Sequence, residues 1–333
     1  MSILLTIAIP TFNRANILDE AIKRILPEIK QFEEFIELII SDNFSEDNTW
    51  EVIQRNLSES KLKNAISFRQ SQNTGYYGNF RKCRELSHGK YFWLLSDNDH
   101  LTKGVITKVV TALRGELDVA VVYLHSNYNK PEFSTYSLDF DKITVEHNRY
   151  ALMLISAVIV YNEKKFDEEI FNAFESNSFL GFFYFGSALS FSKKIIIIEG
   201  LVFNQFPTIV TFDIITAWTK DIMGCVDYLE KNSLINEVQK KDIVTGFLQR
   251  VVIHHVFNYI VKKKLFGRKY GSIPEIKAKL ENYYSGNKYF NDDIIPLFTK
   301  PRFIVVLSYY MSFLKRQYSK IFSFIKYLSN YKN

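Results

Sequence analysis

Cysteine is nearly absent from this chain of 333 residues: Cys83 and Cys225 stand far apart, in neither a metal-ligand nor a redox spacing. That excludes a disulfide framework and a thiolate metal centre, and it fits a reducing compartment. No apolar run approaches the roughly 20 residues needed to cross a bilayer. The first apolar segment, Ile3 to Ile9, is too short for a secretory leader and lacks its basic start, so a cytoplasmic protein is expected. His125, His147, His254 and His255 have no partners at zinc spacing, which leaves them core or surface roles. Acidic residues are missing from Pro301 to Asn333, where Arg302, Lys315, Arg316, Lys320, Lys326 and Lys332 carry an excess equal to the whole net charge of +6. The rest of the chain is close to neutral, which excludes a general nucleic-acid surface.

What is present is apolar and aromatic: 47% hydrophobic residues, with Phe, Tyr and Trp making up 16%. Such a chain folds around a substantial core. Ile3 to Ile9 reads as a buried parallel strand ended by Pro10, followed by the loop Pro10-Thr11-Phe12-Asn13-Arg14. Asn16 is the expected cap of an amphipathic helix through about Ile29, with Ile17, Leu18, Ala21, Ile25 and Ile29 on its apolar side. A second strand, Ile36 to Ile40, leads into Ser41-Asp42-Asn43, and Ser45 to Thr49 caps a helix beginning near Trp50. Ala65 to Arg69 is a third strand. After Asn73-Thr74-Gly75, a helix from about Gly78 carries Asn79 and ends at His88-Gly89 with glycine as its C-cap. Tyr91 to Leu95 is then a strand buried on both faces, delivering Asp97 and Asp99 with Asn98 between them. The alternation of strands and helices predicts an α/β fold with a parallel sheet and right-handed crossovers. In such sheets ligands bind at the carboxyl ends of the strands, where Thr11, Asn13, Arg14, Asp42, Asn43, Gly75, Asn79, Asp97 and Asp99 all fall. Two carboxylates so close repel unless a cation lies between them, and hard divalent ions take oxygen ligands. The pair therefore points to a Mg²⁺ or Mn²⁺ site for a phosphorylated substrate.

Taken together, Pro10 to Arg14, the strand ending at Asp42 before Ser45 and Thr49, Asn73-x-Gly75 with Asn79, and Gly89-Lys90-Tyr91 leading to Ser96-Asp97-Asn98-Asp99 resemble a family 2 glycosyltransferase of GT-A fold. The similarity is to the bacterial branch of abequosyltransferases and other enzymes of O-antigen, capsule and surface-polysaccharide synthesis, and it covers about the first 110 residues. It implies a Rossmann-like, mostly parallel sheet flanked by helices. It implies inverting transfer from a nucleotide sugar, expected to be UDP-linked, to a saccharide acceptor, in one form polyprenyl-diphosphate-linked. Pro10, Thr11, Asn13, Arg14, Asp42, Asn43, Gly75, Asn79, Asp97 and Asn98 are the implied donor-binding residues. Asp97 and Asp99 are the implied holders of the divalent cation, with Asp99 as direct ligand and Asp97 as ribose or metal contact. This chain has Ser96 where the family's first acid commonly stands. Arg14 either pairs with phosphate or is solvated in the first helical turn. A nucleotidyltransferase would instead carry a Gly-rich basic loop after its first strand, which Pro10 to Arg14 is not. A non-catalytic sugar or nucleotide-sugar binder of the same fold is the alternative.

An inverting enzyme needs a general base for the acceptor hydroxyl, usually a carboxylate about 70 to 120 residues beyond the metal motif in this family. Glu175 and Asp213 are the two candidates; Glu199, between Ile195 to Ile198 and Gly200, reads as the end of an element. Short strands are expected at Val119 to Leu124 and Ala157 to Val160, and the aromatic stretch Phe179 to Phe185 reads as core. From about Glu237 the pattern turns helical, with Ile243, Phe247, Val251, His254 and Asn258 on one helix and Ile273 to Tyr284 forming another. Residues 1–220 are thus read as the GT-A catalytic domain and 221–333 as a helical C-terminal region. Its tail, from about 301, alternates aromatic and basic residues at helical spacing. That is the signature of an interfacial helix and suggests a peripheral protein on the cytoplasmic face of the membrane.

Overall fold

The computed structural model describes residues 2–127, 130, 132–142, 155–162, 186, 188–205, 213–262, 271–301 and 304–306. Glu175, the aromatic stretch 179–185 and nearly all of the basic tail lie outside them. The chain forms two compact units, one of residues 1–208 with 224–243, the other of 209–223 with 244–333.

The first unit is built on an eight-stranded mixed sheet. Its strands are β1 (Leu5–Thr11), β2 (Ile36–Asp42), β3 (Ala65–Arg69), β4 (Tyr91–Leu94), β6 (Val121–Ser126), β7 (Ser134–Asp139), β8 (Val158–Tyr161) and β9 (Lys194–Gly200). They lie in the order β3-β2-β1-β4-β8-β6-β9-β7. The first four are mutually parallel, as expected. The departure from parallel comes beyond them: β8 runs antiparallel between β4 and β6, and β7 antiparallel along β9. A separate short strand, β5 (Asp99–Leu101), pairs antiparallel with β10 (Phe203–Gln205). Helices α1 (Ala15–Gln31), α2 (Thr49–Ser60), α3 (Gly75–Glu85) and α4 (Val105–Gly115) follow the early strands. All residues of β1, β2 and β4 are buried, which is why they appear in the sequence as nearly unbroken apolar runs.

Three local expectations are corrected. Pro10 does not end β1; the strand continues to Thr11, with Pro10 opposite Ser41. Ala8 accepts from Leu95 N on the β4 side and Thr11 from Asn43 N on the β2 side, so the nitrogen of Pro10 faces β4. Pairing with β4 has already stopped at Ala8 and Leu94, and no ladder bond is lost. Asn16 is not the cap of α1. The backbone N–H groups of Asn13, Arg14 and Ala15 donate instead to Ser45 Oγ (2.9 Å), Thr49 Oγ1 (3.0 Å) and Asp47 Oδ2 (3.2 Å). The helix start is thus capped by the loop before α2, which satisfies the same orphan donors as a local cap.

The third correction concerns α3, which starts at Gly75 and ends at Glu85. Gly75 sits at φ +72, a backbone conformation that disfavours any side chain, so the turn into α3 is made there. Gly89 is not its C-cap; a Cβ at that position would lie 2.5 Å from Thr6 N and 2.8 Å from Leu5 C. Its own N–H donates to Thr6 Oγ1 at 2.8 Å, so glycine lets the chain enter β4 flush against β1. Because the obstacle is backbone, Gly89→Ala is expected to destabilise the protein by about 1 to 3 kcal/mol. An unchanged urea midpoint would refute that.

The second unit is helical. From Val244 a helical run passes through a wide turn at Leu248–Val252 and continues into Ile253–Lys262, and Ile273–Tyr284 is a helix with the expected bounds. Ser272 and Glu275 form a reciprocal capping box at its start. The Tyr284 hydroxyl donates to the Trp218 carbonyl, and Trp218 lies against His255 with ring centroids 4.9 Å apart. Burial pushes His255 down to about 4, so it is a neutral core ring.

Candidate functional site

The carboxyl ends of β1, β2, β3 and β4 share one edge of the sheet, and the polar loops leaving them meet there. Asp97, in the turn after β4, is 4% exposed. Thr11 Oγ1 donates to its Oδ2 at 2.9 Å and Arg14 Nη1 to its Oδ1 at 2.6 Å. Arg14, half-buried, is held by the acid motif across the edge from β1 to β4. Burial pushes the Asp97 carboxyl above the usual carboxylate range, with the Arg14 guanidinium and the Thr11 hydroxyl pulling the other way.

Asp99 does not sit in a free loop: it is the first residue of β5, opposite Gln205. Its N–H donates to the Ser96 carbonyl at 3.2 Å, closing the turn over Asp97 and Asn98, while the Ser96 hydroxyl bonds the Asn98 side chain. Burial and the neighbouring Asp97 charge raise the Asp99 carboxyl, and a hydrogen bond from Ser156 opposes them. The two acids thus have different surroundings. Asp97 has both oxygens engaged by an ion pair and a hydroxyl, whereas Asp99 opens the short strand β5.

At the end of β2, Asp42 is fully buried and accepts from Ser45 N at 3.1 Å and from the Ser45 hydroxyl, with Arg69 Nε at 3.3 Å. Arg69, the last residue of β3, also donates to the Ser45 carbonyl at 2.7 Å and stands over the rings of Phe44 and Trp50. Sequence reasoning missed Arg69, although the same strand-end rule that singled out Asp42 applies to it. Asn43 is turned inward: its amide donates to Asn73 Oδ1 and to the Gly75 carbonyl, and its oxygen accepts from Thr74 N and Oγ1. Asn79 is likewise buried, accepting from Ser41 Oγ at 2.6 Å and donating to the carbonyls of Ser41 and Thr11. These two asparagines brace the loops that carry the edge. Asn13, at φ +51, accepts from Glu46 N at 2.8 Å and ties the loop after β1 to the loop after β2. Phe12, Phe44 and Tyr76 are exposed around the same edge.

Of the two base candidates, Glu175 lies outside the described residues. Asp213 belongs to the second unit, where it caps a helical turn: Ile215 N donates to Oδ1 at 3.0 Å and Thr216 Oγ1 to Oδ2 at 2.7 Å. Although burial raises it, these bonds prevail and hold the carboxyl below its ordinary value. Glu199 is in β9, paired with Lys130 at 3.0 Å and bonded to Asn127 at 2.8 Å.

The acid pair fits a hard divalent cation. Among the described residues no group of three His, Cys, Asp or Glu side chains comes together, so Asp97 and Asp99 would leave most ligand positions to donor phosphates and water. That is the coordination Mg²⁺ favours.

Comparison with known proteins agrees with this architecture. The abequosyltransferase RfbV of Salmonella typhimurium is 35% identical over 118 residues, 35% of this chain and 34% of the relative. A Campylobacter jejuni GalNAc(5)-diNAcBac-PP-undecaprenol beta-1,3-glucosyltransferase is 31% identical over 106 residues, 32% of this chain and 33% of the relative. The match therefore spans about a third of these curated relatives. Residues 1–349 of S. aureus TarS, crystallised with UDP-GlcNAc, align with a TM-score of 0.57 at 11% identity, covering 92% of this chain and 89% of that one. At that identity the likeness shows the GT-A fold. The glycosyl transferase family 2 model matches residues 6–180, more than half of the sequence, and the chain belongs to that family of glycosyltransferases.

Proposed function

We propose that this protein is an inverting, metal-dependent glycosyltransferase that moves a sugar from a UDP-linked donor to a saccharide acceptor in bacterial surface-polysaccharide synthesis. The observation that carries the reading is the convergence of the β1 and β4 loops, with Thr11 and Arg14 clasping buried Asp97 and Asp99 beside them. The relatives, one named for an undecaprenol-linked saccharide, and the UDP-GlcNAc of the TarS crystal support the donor and acceptor classes.

In the reaction an acceptor oxygen attacks C1 of the sugar, and the bond from C1 to the diphosphate oxygen breaks, leaving its electron pair on the diphosphate. Asp99 and Asp97 would hold a divalent cation, which when bound would supply Lewis-acid stabilisation of that charge. The chain's own groups do the rest. Arg14 is within reach of the acid edge and provides a guanidinium suited to phosphate oxygens. Asp42 and the backbone from Pro10 to Asn13 offer acceptors and donors to a base and ribose, and the exposed rings of Phe12, Phe44 and Tyr76 suit stacking. Gly75, Asn43, Asn79 and Asn98 keep those loops in place. A carboxylate takes the acceptor proton, and Glu175 is the better candidate because both oxygens of Asp213 are committed to capping.

The test is to incubate the protein with UDP-, GDP-, dTDP- and CDP-sugars and Mn²⁺, measuring nucleoside diphosphate release and thermal shift. Release from UDP-sugars, lost with EDTA, is expected. Neither release nor shift with any of them would overturn the reading, and shift without release would indicate a binder that does not catalyse.

The basic aromatic tail lies beyond the described residues, and its membrane role is part of the proposal. Each Lys or Arg near an anionic surface contributes about 1 kcal/mol. The intact protein should sediment with anionic vesicles at low salt and not with neutral ones, and truncation after Lys300 should abolish this. No helix among the described residues is long and apolar enough to cross a membrane. Equal sedimentation of both forms would return the tail to ordinary packing.

A further inference from the structure

We infer that Glu199 and Lys130, with Asn127 beside them, form a subsite that binds hydroxyl groups of the acceptor saccharide; this rests on the donor-site reading above. β4 and β6 both run antiparallel to β8, so they point the same way and their carboxyl ends share one edge of the sheet. β9 is parallel to β6, which brings Glu199 to that edge as well, opposite His125. In the sheet order β8 lies between β4 and β6, and β9 follows β6. At the usual strand spacing the ends of β6 and β9 stand about 10 and 15 Å from the end of β4, where the acid turn begins. An acceptor ring set against the donor sugar falls within that span. The interval is closed by the turn before β8, where Ser156 Oγ accepts from Ser96 N at 2.9 Å.

Lys130 Nζ donates to Glu199 Oε2 at 3.0 Å and to Ser134 Oγ at 2.7 Å, and Asn127 Nδ2 donates to Glu199 Oε1 at 2.8 Å. His125 Nδ1, 3.7 Å from Oε1, is beyond hydrogen-bond range. A carboxylate oxygen has two lone pairs and an ammonium three protons. Each Glu199 oxygen thus keeps a lone pair and Lys130 keeps a proton for a ligand, and the Lys130 side chain is 41% exposed. The loop itself does not need these side chains. Asn127 N donates to the Gly200 carbonyl at 2.7 Å, Lys130 N to the Asn127 carbonyl at 3.0 Å, and Phe133 packs on Gly200, where a Cβ would come within 2.6 Å of its ring. The chemistry of the cluster selects its ligand. The charges of Lys130 and Glu199 cancel, which disfavours phosphate, and one carboxylate is too few to hold a divalent cation. Donors and acceptors side by side in a neutral pair suit sugar hydroxyls, each of which both donates and accepts. Tyr136, half-buried on the same face of β7 as Ser134, adds an aromatic flank.

The experiment measures, by saturation-transfer NMR, binding of the p-nitrophenyl glycosides of GlcNAc, GalNAc, glucose and galactose to the full chain with saturating UDP and Mn²⁺. UDP affinity and the ligand-free thermal midpoint are taken on the same preparations. Wild type should bind at least one glycoside, and Glu199→Gln should weaken that binding about 10- to 100-fold, the worth of a charge-assisted hydrogen bond, with UDP affinity unchanged. One monodeoxy analogue of the bound glycoside should lose as much against wild type and nothing further against Glu199→Gln, a coupling that a merely structural role would not produce. If the glutamine variant does not fold, Lys130→Met, at a more exposed position, must show the same pattern. Unchanged glycoside affinity in the variants, additive losses for every monodeoxy analogue, or no glycoside bound by a wild type that binds UDP would overturn the inference. Wild type that does not bind UDP with Mn²⁺ would overturn the donor-site reading, and the inference with it.

Discussion

Asp99→Asn should abolish sugar transfer, by about 10³-fold or more, while the thermal midpoint of the ligand-free protein stays near that of wild type. The amide keeps the size of the carboxylate and relieves the repulsion from Asp97. Only the charge that would face the cation is lost. Asp97→Asn should behave differently, because Asp97 is buried against Arg14 and Thr11. Removing its charge leaves a guanidinium beside a neutral amide in a buried setting, which is destabilising as well as inactivating. Paired turnover and thermal-melt measurements separate the two variants. Full activity of Asp99→Asn in the presence of EDTA would end the metal assignment.

Glu175→Gln should lower turnover by about 10² to 10⁴ with donor affinity retained, the usual consequence of removing a general base. Asp213→Asn should stay within tenfold of wild type. Its carboxylate accepts from Ile215 N and Thr216 Oγ1, and the resulting depression of its pKa makes it a weaker base. Asparagine caps a helix about as well as aspartate, so stability should also hold. Single-turnover assays with a saccharide acceptor decide this. If neither variant loses more than tenfold, the base lies elsewhere in the chain.

The match spans only about a third of the length of the curated relatives. The family model extends to residue 180. The acceptor side is accordingly where direct measurement on this protein adds most, beginning with Glu175.

The sequence alone determined the order of elements through β4 and the edge at which the site forms. Parallel strands buried on both faces must be apolar at every position, so Leu5 to Ile9, Ile36 to Ile40 and Tyr91 to Leu95 stand out without any knowledge of their partners. The polar loops that follow are then bound to share an edge, which placed Thr11, Asp42 and Asp97 together. The helix Ile273–Tyr284 was equally legible because its capping box is local. Only the tertiary structure decided the hydrogen bonds among those loops. Asn43 and Asn79 face inward, Arg14 lies on Asp97, α1 is capped by Asp47 and Thr49, and Ser156, in the turn before the antiparallel strand β8, accepts from Ser96 N. The physical reason is range: burial patterns repeat every two or four residues along the chain and are written locally. The partner of a given polar atom instead depends on which distant backbone the sheet order brings within 3 Å, and no spacing in the sequence encodes that.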